Sequence, residues 1–165
     1  MFKTNMFKNN IGFTLLEVTA VIVLIGIISA VIISTYTYKN TNLVSSVEVL
    51  KTDLRYAQLR SMNSESVWGI TYDTCADGNR LWLYKDGDTD NKVLLPGEDS
   101  DTINLSKKGV SMGAFIISFN SWGMPCTDAE GKDPFQDSDE TLTMSLISGS
   151  EEKQICITKN TGFIQ

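Results

Sequence analysis

The stretch FTLLEVTAVIVLIGIISAVII, residues 13–33, carries a single charge, Glu17. A helix of that length spans about 30 Å, the hydrocarbon thickness of a bilayer. A secretory signal has a shorter apolar run of ~7–15 residues and a small-residue cleavage site, whereas the neighbourhoods of Ser29-Ala30-Val31 and Ser34-Thr35-Tyr36 make poor ones. Upstream, residues 1–12 hold Lys3 and Lys8 and no acid. The positive-inside rule therefore keeps that end in the cytoplasm and sends the C-terminal bulk across.

Downstream the helical period continues. Leu43, Val47, Leu50, Leu54 and Ala57 step by four, three, four and three, one stripe of an amphipathic helix, with Glu48, Lys51, Asp53, Arg55 and Arg60 mostly off it. No proline interrupts residues 13–62. The spacing predicts one nearly continuous helix of roughly 50 residues, with 35–42 its weakest stretch in propensity.

After Ser64 the period changes to two. Trp68, Ile70 and Tyr72 alternate with polar or small neighbours, as do Phe115, Ile117 and Phe119, and Leu142, Met144 and Leu146. Further short strands are expected at 80–85, 92–95, 103–105, 154–158 and 162–164. Turn signals at 76–79, 86–88, 96–97, 123–125 and 160–162 separate them. The expected fold class is α+β, a long N-terminal helix packed on one antiparallel β-sheet.

Composition narrows the chemistry. The 165 residues are 42% hydrophobic and 21% charged, one ordinary domain with a real core. There is no histidine, which removes serine–histidine and cysteine–histidine catalysis and every histidine metal site. Cys75, Cys126 and Cys156 form no C-x-x-C pair. These features argue against an enzyme. A formal charge of −6 argues against a general electrostatic grip on nucleic acid.

Ile11-Gly12-Phe13-Thr14-Leu15-Leu16-Glu17-Val18 closely resembles the type III signal of type IV pilins and type II secretion pseudopilins. That signal combines a short basic leader ending in Gly, a Phe that becomes the new N-terminus, a Glu four residues on, and a long apolar helix. The resemblance implies that a prepilin peptidase cuts between Gly12 and Phe13 and N-methylates Phe13. It implies a pilin-like fold, with residues 1–12 a leader, 13–34 the membrane-spanning assembly helix, 35–63 its amphipathic continuation and 64–165 the exported domain. The implied location is the bacterial inner membrane, single pass, with the C-terminal domain in the periplasm. Glu17 has a physical role there. A lone carboxylate in a bilayer costs ~2.5–3.5 kcal/mol or more, and a neighbouring subunit's new N-terminal amine relieves it. The chain departs from many major pilins in carrying Ser34 where they have a proline.

A second resemblance lies in residues 53–61 (DLRYAQLRS), 117–125 (ISFNSWGMP) and 156–164 (CITKNTGFI). These look like minor (pseudo)pilins of the H-type and fimbrial-T-type group, which sit at or near the filament tip. The implied function is a structural minor subunit of a type IV pilus or type II secretion pseudopilus, with other pilin subunits, the peptidase and the membrane as partners. The alternative is a DNA-binding minor pilin for DNA uptake. It is disfavoured because 151–160 (EEKQICITKN) has no Arg and two acids beside its first Lys.

Two smaller features complete the expectations. Asp86, Asp88 and Asp90 flank Gly87 in a loop able to hold a calcium ion, although the EF-hand pattern is incomplete and a solvated hairpin tip is favoured. No other cofactor is implied. Export places the cysteines in an oxidising space, where one disulfide is expected. Cys126–Cys156 is favoured, with Cys75–Cys126 and Cys75–Cys156 left open.

Overall fold

The structure, a computed structural model, describes residues 14–75, 78–135 and 141–165. The chain divides into two compact units, Met1–Thr37 and Tyr38–Gln165. Helix α1, Leu15–Met62, contributes to both, and the backbone of the weak stretch 35–42 is helical.

In the second unit α1 is held by its stripe. Leu43, Val47, Leu50, Leu54 and Ala57 are all buried, as the four-three spacing requires. They share one core with residues of two antiparallel sheets. The first sheet has the order β3-β2-β1-β6-β7, made of Asp88–Val93, Gly78–Lys85, Trp68–Cys75, Phe115–Phe119 and Pro125–Cys126, and β4 (Ile103–Asn104) also pairs with β2. The second has the order β5-β8-β9, from Ser111–Met112, Thr141–Ser148 and Glu151–Thr158. A 3-10 turn, Leu105–Lys108, follows β4.

The α+β class holds, but the single expected sheet is two. Between them, the Met112 backbone N–H of β5 donates to the Tyr72 hydroxyl of β1 at 3.3 Å. Strand register is set by turn chemistry. Asp86 and Gly87 both have left-handed φ, 63° and 71°, the geometry of a two-residue type I′ hairpin. This turn starts β3 at Asp88, so the strand expected at 92–95 lies at Asp88–Val93. β9 likewise begins at Glu151, because β8 and β9 pair in full register from Ser148↔Glu151 to Thr141↔Thr158. Polar Glu151-Glu152-Lys153 hid that part of the strand. The strand expected at 162–164 is reduced to a single bridge, Ile157↔Ile164.

In the first sheet the alternation is complete. Trp68, Ile70 and Tyr72 of β1 face the core with Leu81 and Leu83 of β2 and Ile117 and Phe119 of β6. On the other face Tyr84 pairs across from Gly69, and its ring occupies the space where a Cβ on Gly69 would stand. Only glycine permits that crossing. Tyr84 is thereby fully buried on the side of the sheet away from α1.

One buried group on α1 opposes the packing. Asp53 is 7% exposed and its Oδ2 has no hydrogen-bond partner. Burial first, and the Glu98 charge second, push its pKa up to about 7 against the attraction of Lys108. In the unfolded chain the same carboxyl ionises near pH ~3.9. Between those values the folded chain keeps a proton that the unfolded chain has lost, so stability falls as pH rises through that window. Asp53→Asn is therefore expected to stabilise the chain by about 1–3 kcal/mol at pH 8 and by almost nothing at pH 4. Thermal unfolding of both forms at the two pH values checks this; an equal shift at both would refute it.

Candidate functional site

The N-terminal unit is built on one all-round apolar helix. Leu15–Ile32 has a mean hydropathy of 2.7, and none of it is buried. Leu15 is 83% exposed and the valines, leucines and isoleucines that follow are exposed as well. By length and composition this helix can cross a membrane, and a membrane anchor and a signal sequence both meet that description. Gly12 and Phe13, the expected cleavage pair, lie outside the described residues.

Glu17 is described. It sits in the first turn of α1, where an acid is favoured by the helix dipole. Its backbone N–H donates to Thr14 Oγ1 at 3.2 Å. Thr14 is therefore the N-cap and Glu17 the third helical residue of a T-x-x-E capping pattern. The sequence reading treated Glu17 only as a charge in an apolar run, although the capping signal was present in Thr14-Leu15-Leu16-Glu17.

At its other end α1 brings together the three segments 53–61, 117–125 and 156–164. Arg55 Nη2 donates to the Ile164 carbonyl at 2.9 Å. The Gln58 amide Nε2 lies within hydrogen-bond distance of three carbonyls, Gly123 at 2.8 Å, Gly162 at 3.1 Å and Thr161 at 3.2 Å. Ser61 Oγ donates to the Phe119 carbonyl. Arg60 places its guanidinium 4.7 Å from the Trp68 ring centroid and 6.0 Å from that of Tyr56. Leu54 and Ala57 between them fill the core.

The glycines of this junction are required by space as well as by backbone. Gly162 has φ +62°, and a Cβ there would overlap both the Gly123 carbonyl oxygen and the Gln58 amide. Gly123 has φ +77°, and its Cβ would stand 2.8 Å from Met62 Sδ. Beside these glycines Trp122 and Phe163 are exposed, as are Leu59 and Met62 on α1. The motif residues of the three segments thus form one packed junction.

The acidic loop is a hairpin tip. Asp86 Oδ2 accepts from Asn91 Nδ2 at 3.2 Å and faces Lys85 Nζ at 3.6 Å. Asp88 Oδ1 accepts the Asp90 backbone N–H at 2.9 Å. Among the described residues no three acidic or cysteine side chains converge in a way that would hold a metal ion.

The expected Cys126–Cys156 disulfide needs correction. Both thiols are free. Cys126 lies on β7 opposite Ser118 in the first sheet, while Cys156 lies on β9 opposite Thr143 in the second. Ile117 and Phe119 beside Ser118, and Ile155 and Ile157 beside Cys156, face the core, so each thiol lies on the outer face of its own sheet, which sequence order did not reveal. Burial pushes the Cys126 thiol pKa up, which keeps it protonated and unreactive. The alternatives through Cys75 involve a side chain outside the described ones.

Asp128, which no sequence pattern singled out, organises the loop after β7. Its carboxylate accepts backbone N–H groups of Asp133 at 2.9 Å and of Lys132 and Glu130 at 3.1 Å. Partial burial pushes its pKa up, but these backbone donations outweigh that and hold it below the ordinary carboxylate value.

Comparison with known proteins adds no relative: no family model, no curated protein and no solved structure matches the chain.

Gln58 is the test of the junction. Gln58→Ala removes the donor that bridges two loops and is expected to cost about 1–3 kcal/mol. Amide exchange should accelerate at residues 120–124 and 160–164 while the β1–β2 hairpin is unaffected. Uniform acceleration across the domain, or none, would show that the amide is not the link.

Proposed function

We propose that this chain is a structural, non-enzymatic minor subunit of a type IV pilus or a type II secretion pseudopilus. It is made as a prepilin, cut between Gly12 and Phe13, methylated on Phe13 and assembled through its N-terminal helix. The observation that carries this reading is a coincidence of features. The Gly12-Phe13 boundary stands directly before an apolar helix, Leu15–Ile32, of which nothing is buried and which carries Glu17 in its first turn. The α+β domain that follows, with an amphipathic helix stripe in its core, adds support. So does the junction of residues 53–61, 117–125 and 156–164, because the segments that resemble the H-type and fimbrial-T-type group are in contact.

In this reading the helix lies in the inner membrane with the basic end inside and the β-rich domain in the periplasm. Leaving the bilayer for a filament exchanges lipid for the apolar helices of neighbouring subunits, so the exposed faces of Leu15–Ile32 stay covered throughout. Glu17 supplies direction. Cleavage leaves a positive amine on Phe13, and pairing that amine with Glu17 of an adjacent subunit neutralises two charges in a low-dielectric layer.

Intact-mass measurement in cells with an active prepilin peptidase is expected to show a mature chain beginning at methylated Phe13. Replacing Gly12 with a bulky residue should leave residues 1–12 attached. A full-length wild-type chain in those cells would overturn the proposal.

Variants of Glu17 separate side-chain polarity from charge pairing. Glu17→Gln keeps a polar side chain of the same size but removes the charge, Glu17→Val removes both, and each keeps the backbone N–H that Thr14 Oγ1 caps. Both variants should insert in the membrane, and both should enter filaments at least about tenfold less than wild type, a change of ~1.4 kcal/mol or more. If Glu17→Gln assembles like wild type, the charge is not what the position supplies.

A further inference from the structure

The outward rows of the first sheet follow from its register. Tyr84, Gly69 and Ser118 share one row, with Cys126 of β7 beyond them. That row is closed by the buried Tyr84 ring and by Gly131 of the loop after β7, which packs against Val67 and Ser118. Thr71 pairs with Trp82 on one side and Ile116 on the other, and this neighbouring row stays open. It lines a cleft of about 470 Å³, together with Asp73, Thr89 and Thr127.

Trp82 is held in place at the side of this cleft. Its Nε1–H donates to the Thr89 carbonyl at 2.8 Å, which fixes the indole plane. Lys92 Nζ stands 4.6 Å from the ring centroid but does not line the cleft.

We propose that this cleft binds a neutral glycan, with an N-acetylhexosamine ring against Trp82. The lining selects that chemistry by elimination. No Lys or Arg lines it and Asp73 does, so an anionic ligand meets repulsion. A wholly apolar ligand would cover the Asp73 carboxylate and the exposed Thr127 hydroxyl while offering neither a hydrogen bond. A pyranose meets both demands: its C–H face covers the indole and its rim of hydroxyls meets Asp73, Thr89 and Thr127. Ile116, 41% exposed, offers an apolar contact for an acetamido methyl. The cleft's volume falls in the range of small-ligand sites. This assignment stands apart from the role of the N-terminal helix.

The test is saturation-transfer NMR on the full chain in a phosphocholine detergent, which brings no sugar headgroup. The probe is N,N′,N″-triacetylchitotriose, with cellotriose as the sugar lacking acetamido groups. Transfer to the acetamido methyls and a Kd of about 0.1–1 mM are expected. Trp82→Ala should weaken binding about tenfold or more. Because Trp82 is half-buried, Thr127→Arg provides a second variant that blocks the cleft from an exposed position. It should abolish transfer with an unchanged thermal midpoint. No transfer to wild type at about 5 mM, or transfer that survives both variants, overturns the site. Equal binding of cellotriose overturns the amino-sugar assignment.

Discussion

An apolar helix must be covered by something other than water, and among the described residues nothing covers Leu15–Ile32. At ~25 cal/mol per Å² the apolar surface of that segment represents on the order of tens of kcal/mol in water, more than the ~5–15 kcal/mol that holds a whole domain together. The same helix changes character within its own length. Up to Ile32 it is apolar all round, whereas from Leu43 onward a single stripe is apolar and the domain covers it. The first pattern demands a change of solvent, lipid or a bundle of like helices. The second demands a sheet, and the chain supplies two. Both the proposed membrane life of the subunit and the architecture of its domain descend from that difference.

The domain's use of α1 is economical in donors. Arg55, Gln58 and Ser61 lie on successive turns and each donates to a backbone carbonyl from a different part of the chain. Carbonyls at loop ends are the acceptors most exposed to being left unpaired, and a helix face that meets them with long amide and guanidinium side chains ties the loops without adding a strand. The left-handed glycines Gly123 and Gly162 let the two loops come within reach of one amide. That geometry gives the motif residues a packing role independent of any resemblance: a change at Gln58 alters two distant loops at once.

Much of this was legible because it rests on periodicity. The stripe Leu43, Val47, Leu50, Leu54 and Ala57 and the alternation of Trp68, Ile70 and Tyr72 are one-dimensional patterns with one-dimensional causes. What escaped was non-local. Two sheets rather than one is decided by which strands pair, and Phe115–Phe119 and Thr141–Ser148 look alike in isolation. The separation of Cys126 from Cys156 was hidden likewise: both thiols are free, and each sits on the face of its own sheet opposite the shared core. Tyr84 has the pattern of an outward residue and is fully buried, because Gly69 on the neighbouring strand leaves room for its ring. Of the candidate site, the place of Glu17 at the start of the helix was legible, while its assembly role belongs to the proposal. Gly12 and Phe13 rest on sequence alone, and the convergence at Gln58 was foreshadowed only as three separate fragments.

Glu17 meets two requirements whose energies differ. In the first turn of α1 the helix dipole favours its charge by about 0.3–1 kcal/mol. As a carboxylate at the start of an apolar span it carries a penalty that reaches ~2.5–3.5 kcal/mol at the bilayer centre and shrinks toward the interface. Standing in the first turn, it is placed for the helix dipole to offset part of that penalty. In the proposed subunit the acid is therefore tolerated without a partner. A cation arriving in the same layer changes tolerance into attraction, since opposite charges in a low dielectric gain far more than in water. A group tolerated alone and favourable only in company would give the proposed assembly a direction that apolar packing, equally content in lipid or in a bundle, does not supply.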